Sequence, residues 1–125
     1  MKILIVTVAL ALGLVCASSA QAVPADAAFV SPTHNLVCLY ANQYGVGCKS
    51  LNNGRSAILR AYTGVVTFRG WVRAGNPWAA RVIPYGRTAT YGGTFKVRSS
   101  PAGLDVWSTL TGHGFHIDRA RTWRL

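Results

Sequence analysis

Beyond residue 28 the chain alternates short apolar runs with breaks rich in glycine, proline and asparagine. No stretch of ordinary helix length carries an apolar stripe at helical spacing. Residues 36–40 and 46–51 have strand composition, and the turn-rich segment 41–45 between them predicts a β-hairpin. Cys38 and Cys48 fall where that hairpin would set them face to face. Asn52-Asn53-Gly54 reads as a turn, and residues 57–62 are apolar but of ambiguous type. Val65-Val66-Thr67-Phe68, continuing into Trp71-Val72, is strongly β in composition. A turn at Ala74-Gly75-Asn76-Pro77 precedes a short strand, Arg81-Val82-Ile83, closed by Pro84-Tyr85-Gly86. Residues 88–91 alternate weakly. Residues 94–98 alternate cleanly, with Phe95 and Val97 on one face and Lys96 and Arg98 on the other. After a turn at 99–103, Leu104-Asp105-Val106-Trp107 pairs with that strand, and Gly114-Phe115-His116-Ile117 resumes the pattern. Only residues 117–123 could make a short helix, and their arginines make no clear stripe. Thirteen glycines and frequent turns therefore predict an all-β fold, a small single-domain barrel or sandwich of short antiparallel strands with one disulfide-pinned hairpin.

The first residues follow a different pattern. Lys2 precedes an apolar run over 3–15 and then small residues, the layout of a cleaved export signal. Ala20-Gln21-Ala22 places cleavage after Ala22, with Ala20 as the alternative. The run is too short for a membrane-spanning helix. Gly13 stands three residues before Cys16, where a lipidation signal wants Leu, so Cys16 leaves with the leader. The expected organisation is a signal peptide over 1–22, a flexible lead-in over 23–28 and a secreted β domain over 29–125. Export leaves two cysteines, Cys38 and Cys48, in an oxidising compartment where they pair. Closing a loop of that size stabilises the fold by about 2–3 kcal/mol. Two cysteines and three scattered histidines show no metal-binding spacing, so neither metal nor other cofactor is expected.

Charge then narrows the class of partner. Without Lys2, twelve Lys and Arg stand against three Asp and no Glu, a net charge of +9, and ten of the twelve are Arg. Such a surface attracts polyanions such as wall polymers, nucleic acid or anionic lipid headgroups. Solubility alone is the plainer reading of the same numbers.

A set of motifs resembles a known group. Phe29-x-Ser31-Pro32-x-x-Asn35-Leu36-x-Cys38, Val46-x-Cys48, Ile83-Pro84-Tyr85-Gly86, Gly103-Leu104 and Gly112-His113-Gly114-Phe115-x-Ile117-x-Arg119 are similar to small secreted actinobacterial proteins of unknown function. That group has Gly where this chain has His34, and cysteines where it has Val97 and Val106. Loss of both cysteines together implies that positions 97 and 106 are neighbours on adjacent strands. The resemblance implies export and a small disulfide-stapled fold, and it implies no reaction.

The residues able to carry chemistry are few: His34, His113, His116, Asp26, Asp105 and Asp118. Three aspartates, one of them in the lead-in, make poor material for a glycosidase carboxylate pair. No Gly-x-Ser-x-Gly is present. His116 and Asp118 share a strand face, so the aspartate could orient the histidine as a general base. With arginines to hold phosphate, that makes a ribonuclease-like hydrolase using His116 with Asp118 or His113 the main alternative. The plainer reading is a structural His–Asp hydrogen bond and a tight turn at His113. Aromatics also lie beside arginines, in Phe68-Arg69, Trp71 with Arg73, Trp78 with Arg81, Tyr85 with Arg87 and Arg121-Thr122-Trp123-Arg124. Exposed, they would stack on bases or sugars; the plainer reading buries Phe68, Trp71 and Trp78 in the core. The preferred expectation is a monomeric, non-catalytic secreted binder of an anionic polymer, using Arg69, Arg73, Arg87, Arg98, Arg119, Arg121, Arg124 and Trp123. An inhibitor or other interaction protein is the third class. A solvent-filled pocket shared by His113 and His116 would favour the hydrolase.

Overall fold

The computed structural model describes residues 26–70, 72 and 76–125. The expected export signal with its cleavage positions and Cys16, the first half of the expected lead-in, and Trp71, Arg73, Ala74 and Gly75 lie outside the described residues. Among the described residues, eleven strands form two sheets. The first holds β1 (Asp26–Val30), β2 (Leu36–Ala41), β3 (Gly45–Ser50), β4 (Ser56–Arg60), β5 (Val66–Thr67) and β6 (Arg81–Val82), in the order β5-β4-β3-β2-β1-β6. The second holds β7 (Thr88–Tyr91), β8 (Phe95–Ser100), β9 (Gly103–Ser108), β10 (Gly114–Ile117) and β11 (Thr122–Arg124), in the order β11-β10-β9-β8-β7. All pairings are antiparallel except β1 with β6, which is parallel.

The alternation explains the layers. Phe29, Leu36, Tyr40, Val46 and Leu59 from the first sheet meet Phe95, Val97, Leu104, Val106, Phe115 and Ile117 from the second in one buried cluster. Two open sheets sharing a core make a sandwich rather than a barrel. Cys38 and Cys48 are register partners on β2 and β3, and their disulfide lies within that core. Val97 and Val106 are likewise partners across β8 and β9, as the resemblance implied.

Two expectations need correction. The last residues of the lead-in are strand: Asp26 to Ala28 pair with Ala41 to Leu39. Small alanine side chains carry little β signal, and the free edge of β2 supplies the missing backbone partners. Residues 117–123 are no helix. Asp118 Oδ1 accepts the backbone N–H groups of Ala120 at 2.8 Å and Arg121 at 2.7 Å. That side-chain turn reverses the chain, so that β11 pairs with β10.

The connections sort to two ends. Loops 31–35, 51–55, 83–87, 101–102 and 118–121 lie at one end, and loops 42–44, 61–65, 92–94 and 109–113 at the other.

Candidate functional site

On the outer face of the second sheet, register sets Asp105, His116 and Trp123 side by side across β9, β10 and β11. His116 Nδ1 lies 2.7 Å from Asp105 Oδ1, and Nε2 lies 3.1 Å from Asp118 Oδ2. The Trp123 indole stacks on the imidazole, with centroids 3.9 Å apart and planes inclined by 15°. His116 is only 6% exposed. Gly103 makes the arrangement possible. At φ +129° it occupies a backbone region that favours glycine, and a Cβ there would collide with the Ile117 carbonyl and lie 2.9 Å from Asp118 Cβ. Burial pushes the Asp118 carboxyl upward, but the N–H donors of Ala120 and Arg121 and the His116 ring outweigh it and hold it below its usual value.

The expected His116–Asp118 pair therefore exists, joined by Asp105. It is closed to chemistry in this conformation, because a general base needs a free nitrogen within reach of substrate. Both ring nitrogens face carboxylates, and Trp123 covers one face of the ring. His113 is elsewhere. It sits exposed in loop 109–113 at the opposite end, lining a shallow depression with Thr63, Val65 and Arg124. His116 does not line the depression that holds His113.

A cleft of about 450 Å³ opens between loops 31–35, 101–102 and 118–121, with Tyr85 on its wall. Ser31, Thr33, Asn35, Tyr85, Arg119 and Arg121 line it. Its basic loop is anchored across the sandwich, for the Arg119 carbonyl accepts Ser50 Oγ at 3.2 Å and Asn53 Nδ2 at 2.8 Å. Arg119 is exposed, and the Arg121 guanidinium lies 5.2 Å from the Trp123 ring centroid. Arg55 and Arg87 are exposed on neighbouring loops at the same end.

The six described arginines of the expected seven do not form one surface. Arg119, Arg121 and Arg87 gather at the loop end, and Arg98 lies beside Asp105 on the outer face of the second sheet. Arg69 lines a separate groove on the outer face of the first sheet with Arg60, Leu39, Ile58 and Val72. Arg124 turns inward, donating from Nη2 to the Val66 carbonyl at 2.9 Å, with its guanidinium 5.1 Å from the Phe68 ring. Arg73 lies outside the described residues. Of the expected core aromatics, Phe68 packs partly buried against the core. Trp78 is 74% exposed and stacks on His34. Asp26 begins β1 at the end away from the cleft.

Sequence reasoning left Arg55 out of the binding set. Its only signal was the turn it follows, and nothing in the chain says which turns share an end. Among the described residues, no group of three or more His, Cys, Asp or Glu side chains is placed to hold a metal ion. No described helix is long and apolar enough to cross a membrane. No family model, curated protein or solved structure matches the chain.

Proposed function

We propose that the protein is an exported, non-catalytic binding module that holds an anionic ligand or polymer in the loop-end cleft, at or outside the cell envelope. The apolar leader with its small-residue cleavage positions supports export, and so does a disulfide of the kind that persists in oxidising compartments. The observation that carries the binding reading is the charge at the loop end. Arg55, Arg87, Arg119 and Arg121 are all exposed there. Asp118, the carboxylate beside them, has both oxygens engaged by His116 and by backbone N–H groups. Arg121 Nε lies 4.0 Å from Asp118 Oδ2, whereas Arg55, Arg87 and Arg119 are in no ion pair among the described residues, and a concave site with such surplus positive charge attracts anions. The occupied nitrogens of His116 weigh against the ribonuclease-like alternative.

Retention of the purified protein on heparin, RNA and a teichoic-type wall polymer, measured against salt, tests the reading. Counterion release from a duplex gives a slope of about −0.9 in log K per phosphate contacted. A site contacting about four phosphates loses more than a hundredfold in affinity between about 50 and 200 mM salt. The Arg119→Ala, Arg121→Ala double variant is expected to bind all three polymers more weakly, because arginine contacts to phosphate carry no sequence information. Salt-independent behaviour on every polymer would leave the charge as a solubility device and remove the proposal.

A further inference from the structure

The geometry points to an anionic saccharide as the occupant of the cleft, with a sugar ring stacked on Trp78, outside the cleft lining, and its acidic group held by Arg119 and Arg121. This rests on the binding reading of the cleft and names its ligand class.

An exposed aromatic is ordinary by itself. Trp78 differs because it is exposed and fixed. It sits in a single 3₁₀ turn, Pro77–Ala79, where Asn76 Oδ1 accepts the Trp78 N–H at 3.0 Å. One face of its ring lies on the His34 imidazole, with centroids 3.8 Å apart and planes inclined by 18°. His34 is held in turn. Its backbone N–H donates to the Ser31 carbonyl at 2.9 Å, and Nδ1 lies 3.1 Å from the Pro32 carbonyl. It also adopts φ +62°, a left-handed conformation that a non-glycine residue takes only where its surroundings enforce it. The result is a rigid indole with one face supported and much of its surface open to water. A ligand that stacks there meets a preformed surface and loses little to ordering the protein.

Neither Trp78 nor His34 lines the cleft, but Thr33 and Asn35, the chain neighbours of His34, both do, which ties the platform to it. Tyr85, a second exposed aromatic, lines the cleft too. The remaining lining suits hydroxyl groups. Thr33 offers a hydroxyl and Asn35 an amide that makes no hydrogen bond among the described residues, while the Ser31 and Ser100 hydroxyls already accept the Leu36 and Ala102 backbone N–H groups. Aromatic faces take the C–H face of a pyranose, amide and hydroxyl groups take its hydroxyls, and arginines take a carboxylate, sulfate or phosphate. The cleft volume, about 450 Å³, lies within the range of small-ligand sites, about 300–1,000 Å³. A single-stranded nucleic acid fits less well. It needs successive aromatic faces along a basic groove, whereas here Trp123 already covers His116 and Trp78, stacked on His34, stands outside the cleft lining.

The test titrates the disulfide-intact protein with four oligomers matched in charge: oligogalacturonate, a sugar-phosphate oligomer, inorganic polyphosphate and single-stranded RNA. The two acidic sugars are expected to bind more tightly than polyphosphate, which has no ring to stack. Trp78→Ala should cost them about tenfold and leave polyphosphate unchanged. Trp78→Phe should keep most of the margin. Whichever acidic sugar gains more identifies carboxylate or phosphate as the preferred acid. Sugar affinity indifferent to Trp78→Ala overturns the saccharide assignment while leaving the anion site standing, and so does RNA binding that depends on Trp78. Failure of all four to bind, or affinity unchanged in Arg119→Ala, Arg121→Ala, overturns the cleft reading itself.

Discussion

The imidazole of His116 has aspartate at both nitrogens and an indole on one face. Hydrogen bonds to ionised groups contribute about 1.5–3 kcal/mol each, and leaving such a group buried without its partner costs at least as much. The cluster therefore fixes loop 118–121, and with it the positions of Arg119 and Arg121 on the cleft wall. Its pH dependence follows from Asp118, whose carboxyl is held below the usual carboxylate value. A lowered folded-state value means stability that is fully present above the unfolded value, about pH 4, and lost as pH falls through the lower folded one. Asp118→Asn should lower the melting temperature at neutral pH and flatten the decline below about pH 4. Melting temperatures across that range check it. An acid limb as steep in the variant as in the parent would show that Asp118 does not carry the effect.

At the scale of the elements, strands with clean alternation were legible because period two has one physical meaning, a face in the core and a face in water. Segments 36–40 and 104–107 lie within β2 and β9, segment 94–98 lies in β8 except for Thr94, and the hairpin pairs Cys38 with Cys48. Where backbone pairing or a single side chain decides, the pattern was silent. β1 begins earlier than its composition suggests because β2 offers an edge, and β11 exists because Asp118 turns the chain. Trp78 was expected inside because a small domain needs its aromatics there, yet a short capped turn and His34 hold it out. The β8–β9 register allows a direct test. Two residues, Pro101 and Ala102, join Ser100 to Gly103. Pairs alternate away from a closing hydrogen-bonded pair, so Val97 and Val106, three steps on, form the non-hydrogen-bonded type, whose side chains lie closest. The Val97→Cys, Val106→Cys double variant should oxidise spontaneously to a second bridge, read as a 2 Da mass loss reversed by reduction. Two free thiols that persist in the folded, air-oxidised protein would contradict the register.

Over the whole molecule, thirteen Lys and Arg against three Asp attract anions of any kind, but a count has no address. Folding supplies one by assigning the charges different tasks. Asp105 and Asp118 converge on His116, and among the described residues Asp118 makes one further ion pair, with Arg121 Nε at 4.0 Å. Arg119 and Arg121 face the cleft, Arg69 faces a groove on the other sheet, and Arg124 ties the sheets together. Arg124 belongs to β11 and its acceptor, Val66, to β5, each the edge strand of its own sheet, so this bond closes one side of the sandwich. A charged donor on a backbone carbonyl is worth about 1–2 kcal/mol where it is partly buried. For a domain of about 100 residues that is a fall of several degrees in melting temperature. Arg124→Ala should show this fall, with a loss of polymer affinity well below that of the Arg119→Ala, Arg121→Ala pair. Thermal melts and salt-dependent retention of the two variants separate the cases. If Arg124→Ala weakens retention as much as the pair does and melts like the parent, then Arg124 meets the ligand, and the anion-binding surface extends beyond the loop end.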